Sequence, residues 1–104
     1  MAYTNPQQGT GEDSARLRKA AGLILKNHRL DVQKTQRQLA EEIGFEYYTM
    51  ISQIEGGKTR VPPLQMEAYA KALGIDRASF AKLMLRHYDP AMYRMLFSET
   101  SPSA

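Results

Sequence analysis

The sequence predicts an all-α fold of five compact helices followed by one short C-terminal helix. Apolar residues recur at spacings of three and four along most of the chain, which is typical of helices with one buried face. Gly44 and Gly74 follow two of these runs, and Pro62-Pro63 precedes another, as expected at helix boundaries. We find no convincing strand pattern. At 104 residues the chain fits a single domain.

The first helix is predicted to begin after Asp13 or Ser14. Residues 1–12 lack periodicity and are rich in polar residues, so we expect a flexible N-terminal arm there. The helical body then covers residues 13–88. The buried face of helix one is expected to consist of Leu17, Ala21, Ile24 and Leu25.

Two short helices around a glycine turn are predicted within the stretch from Gln36 to Arg60. Thr35 can cap the first of them, because its hydroxyl can accept a hydrogen bond from a first-turn amide, and Gln38 stands at the capping-box position. Gly44 is expected to end this helix in the left-handed conformation, which a side chain would disfavour. Its apolar face consists of Leu39, Ala40 and Ile43.

The helix after this turn divides into two faces. The positions i, i+3, i+4 and i+7 that are expected to point inward are Tyr47, Met50, Ile51 and Ile54. The outer face has uncharged side chains that can form hydrogen bonds: Tyr48, Thr49, Ser52 and Gln53. Because a DNA major groove accepts one helix and presents donors, acceptors and thymine methyls, this face suits base reading. A solvated polar helix face is the alternative.

A basic loop follows the second helix of the motif, and Gly56 and Gly57 are expected to leave its Lys58 and Arg60 free to reach phosphates. Three more helices follow this loop. Pro62 and Pro63 suit the rigid entry to helix four, whose inner face is expected to be Met66, Tyr69, Ala70 and Leu73. Gly74 ends that helix, and Asp76 caps helix five, whose apolar positions are Phe80, Leu83, Met84 and Tyr88.

The sequence after helix five predicts a contact surface. Asp89-Pro90 can start a short helical extension over residues 89–97, and residues 98–104 are predicted to be a disordered tail. Large apolar groups beyond the usual core often mark an interface. We therefore predict a homodimer interface formed by Phe80, Met84, Tyr88, Met92, Tyr93, Leu96 and Phe97. Packing of the extension onto helix five of the same monomer is the alternative.

The placement of charge favours a polyanionic partner. The formal net charge is +3 and the isoelectric point is about 9.3. Between residues 14 and 37, Asp31 is the single acidic residue, and the basic residues are Arg16, Arg18, Lys19, Lys26, Arg29, Lys34 and Arg37. This excess raises the local positive potential and favours nucleic acid. For any single residue of the set, a solvated helix flank is an equally good interpretation.

Other chemistry has little support in the sequence. Cysteine is absent, which excludes disulfides and thiolate metal sites and agrees with a cytoplasmic location. His28 and His87 lack metal-ligand spacing, and Ser52 and Ser79 lack a recognisable activating base. We therefore expect no enzymatic activity, no metal and no cofactor. No apolar run is long enough for a transmembrane helix.

Three sequence blocks together resemble the phage-repressor and Cro-like helix-turn-helix family, often called the XRE family. The blocks are TQRQLAEEIG from Thr35, ISQIEGGK from Ile51, and ALG from Ala72. The resemblance covers about Leu17 to Met84. It implies a lambda-repressor-like helix-turn-helix domain of five helices.

The resemblance also implies roles for individual residues. The family's base-reading positions correspond to Tyr48, Thr49, Ser52 and Gln53. The phosphate-contacting candidates are Gln36, Tyr47, Lys58, Thr59 and Arg60. Glu55 matches a glutamate that members commonly pair with an arginine of helix one, and Asn27 stands roughly where that arginine is expected. Compared with the family, one extra residue is placed in the turn near Phe45-Glu46.

The function implied is sequence-specific regulation of transcription. We expect a dimeric repressor that binds double-stranded DNA at a palindromic promoter operator. Two alternatives remain open. The first is the DNA-binding antitoxin of a toxin–antitoxin pair, and the second is a protein-interaction coactivator module that has lost DNA affinity, as Glu46 and the adjacent tyrosines suggest.

Overall fold

The computed structural model describes residues 6–97, and this part of the chain is helical without strands. The helices are α1 (Pro6–Asp31), α2 (Gln36–Ile43), α3 (Thr49–Glu55), α4 (Met66–Leu73), α5 (Arg77–Tyr88) and α6 (Pro90–Phe97). A single 3-10 turn, Pro63–Gln65, leads into α4. The predicted all-α fold of five helices plus a C-terminal helix is confirmed.

The predicted start of helix one is wrong, because α1 begins at Pro6 and includes most of the expected arm. Extending an existing helix by one residue costs far less than nucleating a new one, so a polar segment can continue a stable helix. Proline is tolerated in a first turn, where its missing amide would have no partner. The rest of the arm, residues 1–5, and the tail, residues 98–104, lie outside the described residues.

The core lies where α1 packs against α3 and α5, and where α4 joins α2 to α5. Fifteen buried apolar residues form one cluster, in which Leu25, Leu39, Ile51, Ile54 and Tyr69 have no exposed surface. The expected face of α2 is buried, and so is that of α5 except for Leu83, which is half-buried like Leu17 and Ile24 of α1. Burial of this cluster orients the short helices, because helices of seven or eight residues are not stable alone.

Local signals define the ends of α2 as predicted. The Thr35 hydroxyl accepts a hydrogen bond from the Gln38 amide at 3.0 Å, and the Gln38 side chain accepts one from the Thr35 amide at 2.8 Å. Gly44 ends the helix with φ of 99°, in the left-handed region. The capping box and the glycine turn are both confirmed.

The crossing of α1 over α3 depends on Gly22, which the sequence analysis did not single out. A Cβ at this position would lie 2.3 Å from the carbonyl oxygen of Glu55 at the end of α3. The missing side chain therefore lets the two backbones touch. This contact brings the end of α3 against the long first helix.

Candidate nucleic-acid interface

The second helix of the motif, α3, has one buried edge and one exposed polar edge. Ile51 and Ile54 are fully buried in the core. Thr49, Ser52 and Gln53 are exposed, and Tyr48, the residue that precedes the helix, is 43% exposed. The division into two faces at these positions is as expected from the sequence. The exposed edge is therefore polar and uncharged.

Tyr47 does not point inward, so its predicted place on the inner face is wrong. Its side chain is 67% exposed. The reason is that α3 begins only at Thr49, and Tyr47 lies in the turn from Gly44 to Tyr48, where helical periodicity does not apply. Phe45, in the same turn, packs against the core instead. Exposure leaves Tyr47 available for the predicted phosphate contact.

A buried polar network connects α1 to α2 and α3, the two helices of the motif. Two guanidinium nitrogens of Arg29 on α1 donate to the two carboxylate oxygens of Glu55 on α3, at 2.7 and 3.0 Å. A third nitrogen of Arg29 donates to the carbonyl of Lys34 at 2.9 Å. The side-chain amide of Gln36 donates to the same Glu55 carboxylate at 3.1 Å.

This network corrects the partner that sequence position indicated for Glu55. Asn27 is exposed, and the arginine of helix one is Arg29, further along α1. Arg29 and Glu55 are only 7% and 8% exposed. The hydrogen bond to Glu55 is the main cause that raises the pKa of Arg29, against the opposing effect of burial. A bidentate pair in such surroundings has fixed geometry, so it sets the orientation of α3 relative to α1 and α2.

The loop after α3 is held in place on both sides. Gly57 is buried against α1, and its carbonyl accepts a hydrogen bond from Arg18 at 3.1 Å. The Arg60 guanidinium is 2.7 Å from the Asp89 carboxylate and lies over the Tyr88 ring, 4.7 Å from its centroid. Val61 donates its amide to the Tyr88 hydroxyl at 3.1 Å. The expectation that the two glycines leave this loop free is therefore wrong.

Several basic residues of the predicted cationic stretch are engaged within the protein. Arg29 is buried in its ion pair, and Lys34 donates to Glu42 at 2.8 Å and to the carbonyl of Ala72 at 2.7 Å. Lys19 and Lys26 on α1 and Lys58 after α3 are exposed. The exposed positive charge near the motif is thus smaller than the sequence count indicates.

The predicted interface at the C-terminal end is wrong for three residues. Phe80, Met84 and Tyr88 are only 1%, 1% and 9% exposed, because they pack in the core of the same chain. They fill the face of α5 that contacts α1 and α4.

The last helix, α6, packs onto α5 with one face and leaves the other exposed. Tyr93 and Phe97 are half-buried with ring centroids 5.1 Å apart. Lys82 and Arg86 of α5 lie over these rings, at 4.8 Å from Phe97 and 5.8 Å from Tyr93. The apolar side chains left exposed are Met92, Met95 and Leu96, at 49%, 80% and 61%. Met95 was not among the predicted interface residues.

Comparison with known families identifies the fold and the motif together. A sequence model described as helix-turn-helix matches residues 25–80, from the last two turns of α1 to the first turn of α5. The chain belongs to the Cro/repressor-like helix-turn-helix family. Curated proteins give no significant match to the chain. This regulator is a DNA-binding transcription factor that binds double-stranded DNA.

Two further observations concern the part of the regulator between residues 6 and 97. None of its helices combines the length and apolar character needed to cross a membrane. Among the side chains that the structure describes, no three of His, Cys, Asp or Glu are grouped so that they could hold a metal ion.

Proposed function

We propose that this regulator is a homodimeric repressor that occupies a palindromic operator in a promoter. The observation that carries the proposal is the uncharged exposed edge of α3, on a helix whose other edge is buried. Thr49, Ser52 and Gln53 form this edge. The buried Arg29–Glu55 pair supports it, since it holds the helix in a fixed orientation before DNA arrives.

In this proposal, base reading comes from α3 and its preceding residue. Gln53 can give a bidentate contact to an adenine edge, and the hydroxyls of Thr49 and Ser52 can bond to several bases. Tyr48 can pack on a thymine methyl or donate its hydroxyl. One good contact of this kind contributes about 1–3 kcal/mol to discrimination between bases.

Phosphate contacts supply the second part of the proposed affinity. Lys58 is exposed beside the end of α3. Gln36 begins α2, Tyr47 lies in the turn between α2 and α3, and Thr59 lies in the loop after α3. Arg60 is paired with Asp89 in the free protein, so its contact with DNA requires exchange of a carboxylate for a phosphate. These contacts depend on salt, because each one releases counterions from the DNA.

The dimer is proposed to form through the exposed face of α6. Met92, Met95 and Leu96 give this face its apolar character. One recognition helix covers only a few base pairs, whereas two related by a two-fold axis read half-sites about one helical turn apart. Sedimentation should show a dimer that becomes a monomer when Met95 and Leu96 are both changed to Gln. An unchanged mass would remove α6 from this role.

Selection of DNA sequences from a random pool tests the proposed readout. The wild-type protein should enrich one palindromic sequence, and Gln53→Ala should lose preference for it over random DNA. Lys58→Ala should weaken binding to both the selected sequence and random DNA. It should also reduce the salt slope, which is the fall in log affinity per unit rise in log salt concentration. Lys71 is an exposed cation on α4, so Lys71→Ala is the charge-matched control. Equal loss on both DNAs for Gln53→Ala would contradict the assignment of Gln53.

Repression is proposed to occur by occlusion. A dimer bound at a promoter covers DNA that the polymerase needs. In a purified system, transcription from a promoter that carries the selected operator should fall as the regulator is added. A rise in transcription would identify an activator instead.

A further inference from the structure

Arg37 and Tyr48 form a cation–π pair that joins the starts of the two helices of the motif. Arg37 is the second residue of α2, and Tyr48 immediately precedes α3. The guanidinium carbon of Arg37 lies 4.6 Å from the centroid of the Tyr48 ring. This distance is within the range of a cation–π contact.

The fold gives this pair no evident structural task. Both side chains are exposed, and neither belongs to the core. Tyr48 makes no capping hydrogen bond to α3 with its side chain. Among the side chains that the structure describes, Arg37 takes part in no ion pair, unlike the arginines at positions 16, 29, 60 and 77. A function on the exposed surface is therefore the better explanation.

A guanidinium group can pack its flat face against an aromatic ring, and such a contact leaves its edges unused. Its N–H groups lie in the plane of the group and point away from its edges, where they can donate in pairs to a phosphate. Arg37 also lies directly beside Gln36, which is already a candidate for a phosphate contact. A single arginine can thus hold a phosphate with its edge and a tyrosine ring with its face.

The ring of Tyr48 needs such a restraint. A cleft of about 360 Å³ lies beside it, lined by Arg37, Ala40, Glu41, Phe45, Glu46, Tyr47 and Tyr48. The cleft gives the ring space to rotate away from the base-reading edge. Glu41 and Glu46 repel a phosphate, so Arg37, the one cationic side chain that lines the cleft, is where a phosphate is favoured.

We propose that Arg37 is a positioning residue for base recognition. It donates to a DNA phosphate and fixes the Tyr48 ring at the entrance of the major groove, so that base preference at the start of α3 depends on the arginine. The inference rests on the proposed operator binding and adds a residue that the base-reading and phosphate sets do not contain.

Arg37→Lys separates charge from shape in the full-length protein. Lysine keeps the positive charge but has no flat group to stack on the ring. The variant should bind random DNA with nearly wild-type affinity and salt dependence. Its discrimination at the base pair read by Tyr48 should fall about tenfold, within the range for one base contact. Arg37→Gln should also lower the salt slope by about 0.9, the value for one phosphate contact.

Tyr48→Ala and the double variant Arg37→Lys/Tyr48→Ala complete the test. Because the arginine acts through the ring, the double variant should discriminate no worse than Tyr48→Ala alone. Arg86→Lys is the matched control, since Arg86 lies over Tyr93 at 5.8 Å, away from the motif. It should leave base preference unchanged.

The possible failures are distinguishable. If the wild-type protein enriches an operator and Arg37→Lys keeps the same preference at every position, the role of Arg37 is overturned and operator binding stands. An unchanged salt slope for Arg37→Gln would likewise overturn the phosphate contact. If the wild-type protein enriches no sequence, the proposed function fails, and the inference fails with it.

Discussion

Two arginine–carboxylate pairs in this regulator share a contact distance of 2.7 Å and differ in their surroundings. The side chains of Arg29 and Glu55 are 8% and 4% exposed, and they join α1 to the recognition helix. The side chains of Arg60 and Asp89 are 49% and 46% exposed, and they join the loop after that helix to the start of α6. The same chemistry thus serves the interior and the rim of the motif.

The comparison shows that burial, and not distance, decides what a pair does. Removing one partner of a buried pair leaves an uncompensated charge in the interior, which costs about 3–5 kcal/mol. An exposed pair contributes about 0–1 kcal/mol, because water solvates both groups when they separate. The buried pair can therefore hold α3 in place, and the exposed pair can exchange its carboxylate for a phosphate.

The largest expected effect comes from breaking the buried pair. Glu55→Ala should lower the free energy of unfolding by about 3–5 kcal/mol, because Arg29 keeps its charge and loses its partner. Urea unfolding followed by circular dichroism measures the change. The double variant Arg29→Met/Glu55→Leu removes both charges, so its free energy of unfolding should fall much less than that of Glu55→Ala. A loss for Glu55→Ala as small as that of an exposed pair would contradict the comparison.

The close contact of α1 with the end of α3 gives the next largest effect. Gly22→Ala would place a methyl group 2.3 Å from the Glu55 carbonyl oxygen, so one helix must move. We expect a loss of about 1–3 kcal/mol in the free energy of unfolding, as for overpacked cores. Gly11→Ala is the control, since a Cβ there meets nothing within 4 Å. Equal stability of the two variants would show that α1 and α3 can move apart without a loss in the free energy of unfolding.

A smaller effect is expected at Tyr69, which lies near the buried pair. Its hydroxyl is buried and has no hydrogen-bond partner within residues 6–97. Burial raises the pKa of Tyr69 well above its ordinary value, with a further contribution from the Glu55 charge. Tyr69→Phe removes the hydroxyl, so the free energy of unfolding at neutral pH should stay equal or rise by about 1 kcal/mol.

The raised pKa of Tyr69 predicts that the free energy of unfolding falls at alkaline pH. Since the pKa is higher in the folded state, its contribution to stability is complete below the unfolded pKa of about 10. This contribution is lost as the pH rises from the unfolded pKa toward the pKa of the folded state, because in that range only the unfolded chain releases the proton. Urea titrations above neutral pH should show a falling midpoint for the wild-type protein and a shallower fall for Tyr69→Phe. Identical slopes would exclude Tyr69 as the cause.

The smallest change in stability is expected at the exposed pair. Asp89→Asn should alter the free energy of unfolding by less than about 1 kcal/mol. It also releases Arg60 and removes a negative charge near the loop, so binding to random DNA at low salt should become tighter. Fluorescence anisotropy with a labelled duplex measures this. Arg77→Ala, which breaks another exposed pair, with Glu67 on α4, is the control for stability. Weaker DNA binding by Asp89→Asn would contradict the exchange of carboxylate for phosphate.

Features that depend on near neighbours could be predicted from the sequence. The Thr35 capping box, the left-handed Gly44 and the exposed edge with Thr49, Ser52 and Gln53 all follow from residues a few positions apart. The assignment of Tyr47 to the inner face failed at the boundary of α3, since periodicity applies only inside a helix. The expected interface of Phe80, Met84 and Tyr88 failed because an apolar helix face gives no sign of whether its own chain covers it.

The sequence by itself determined the helical class, the position of the motif and the two faces of its second helix, because spacings of three and four act within one helix. Tertiary structure alone decided that Arg29, and not Asn27, meets Glu55, and that Gly22 is the point of contact between α1 and α3. It also decided that Arg60 rests on Asp89. These pairings join residues more than twenty positions apart, and their geometry depends on how all the helices pack together.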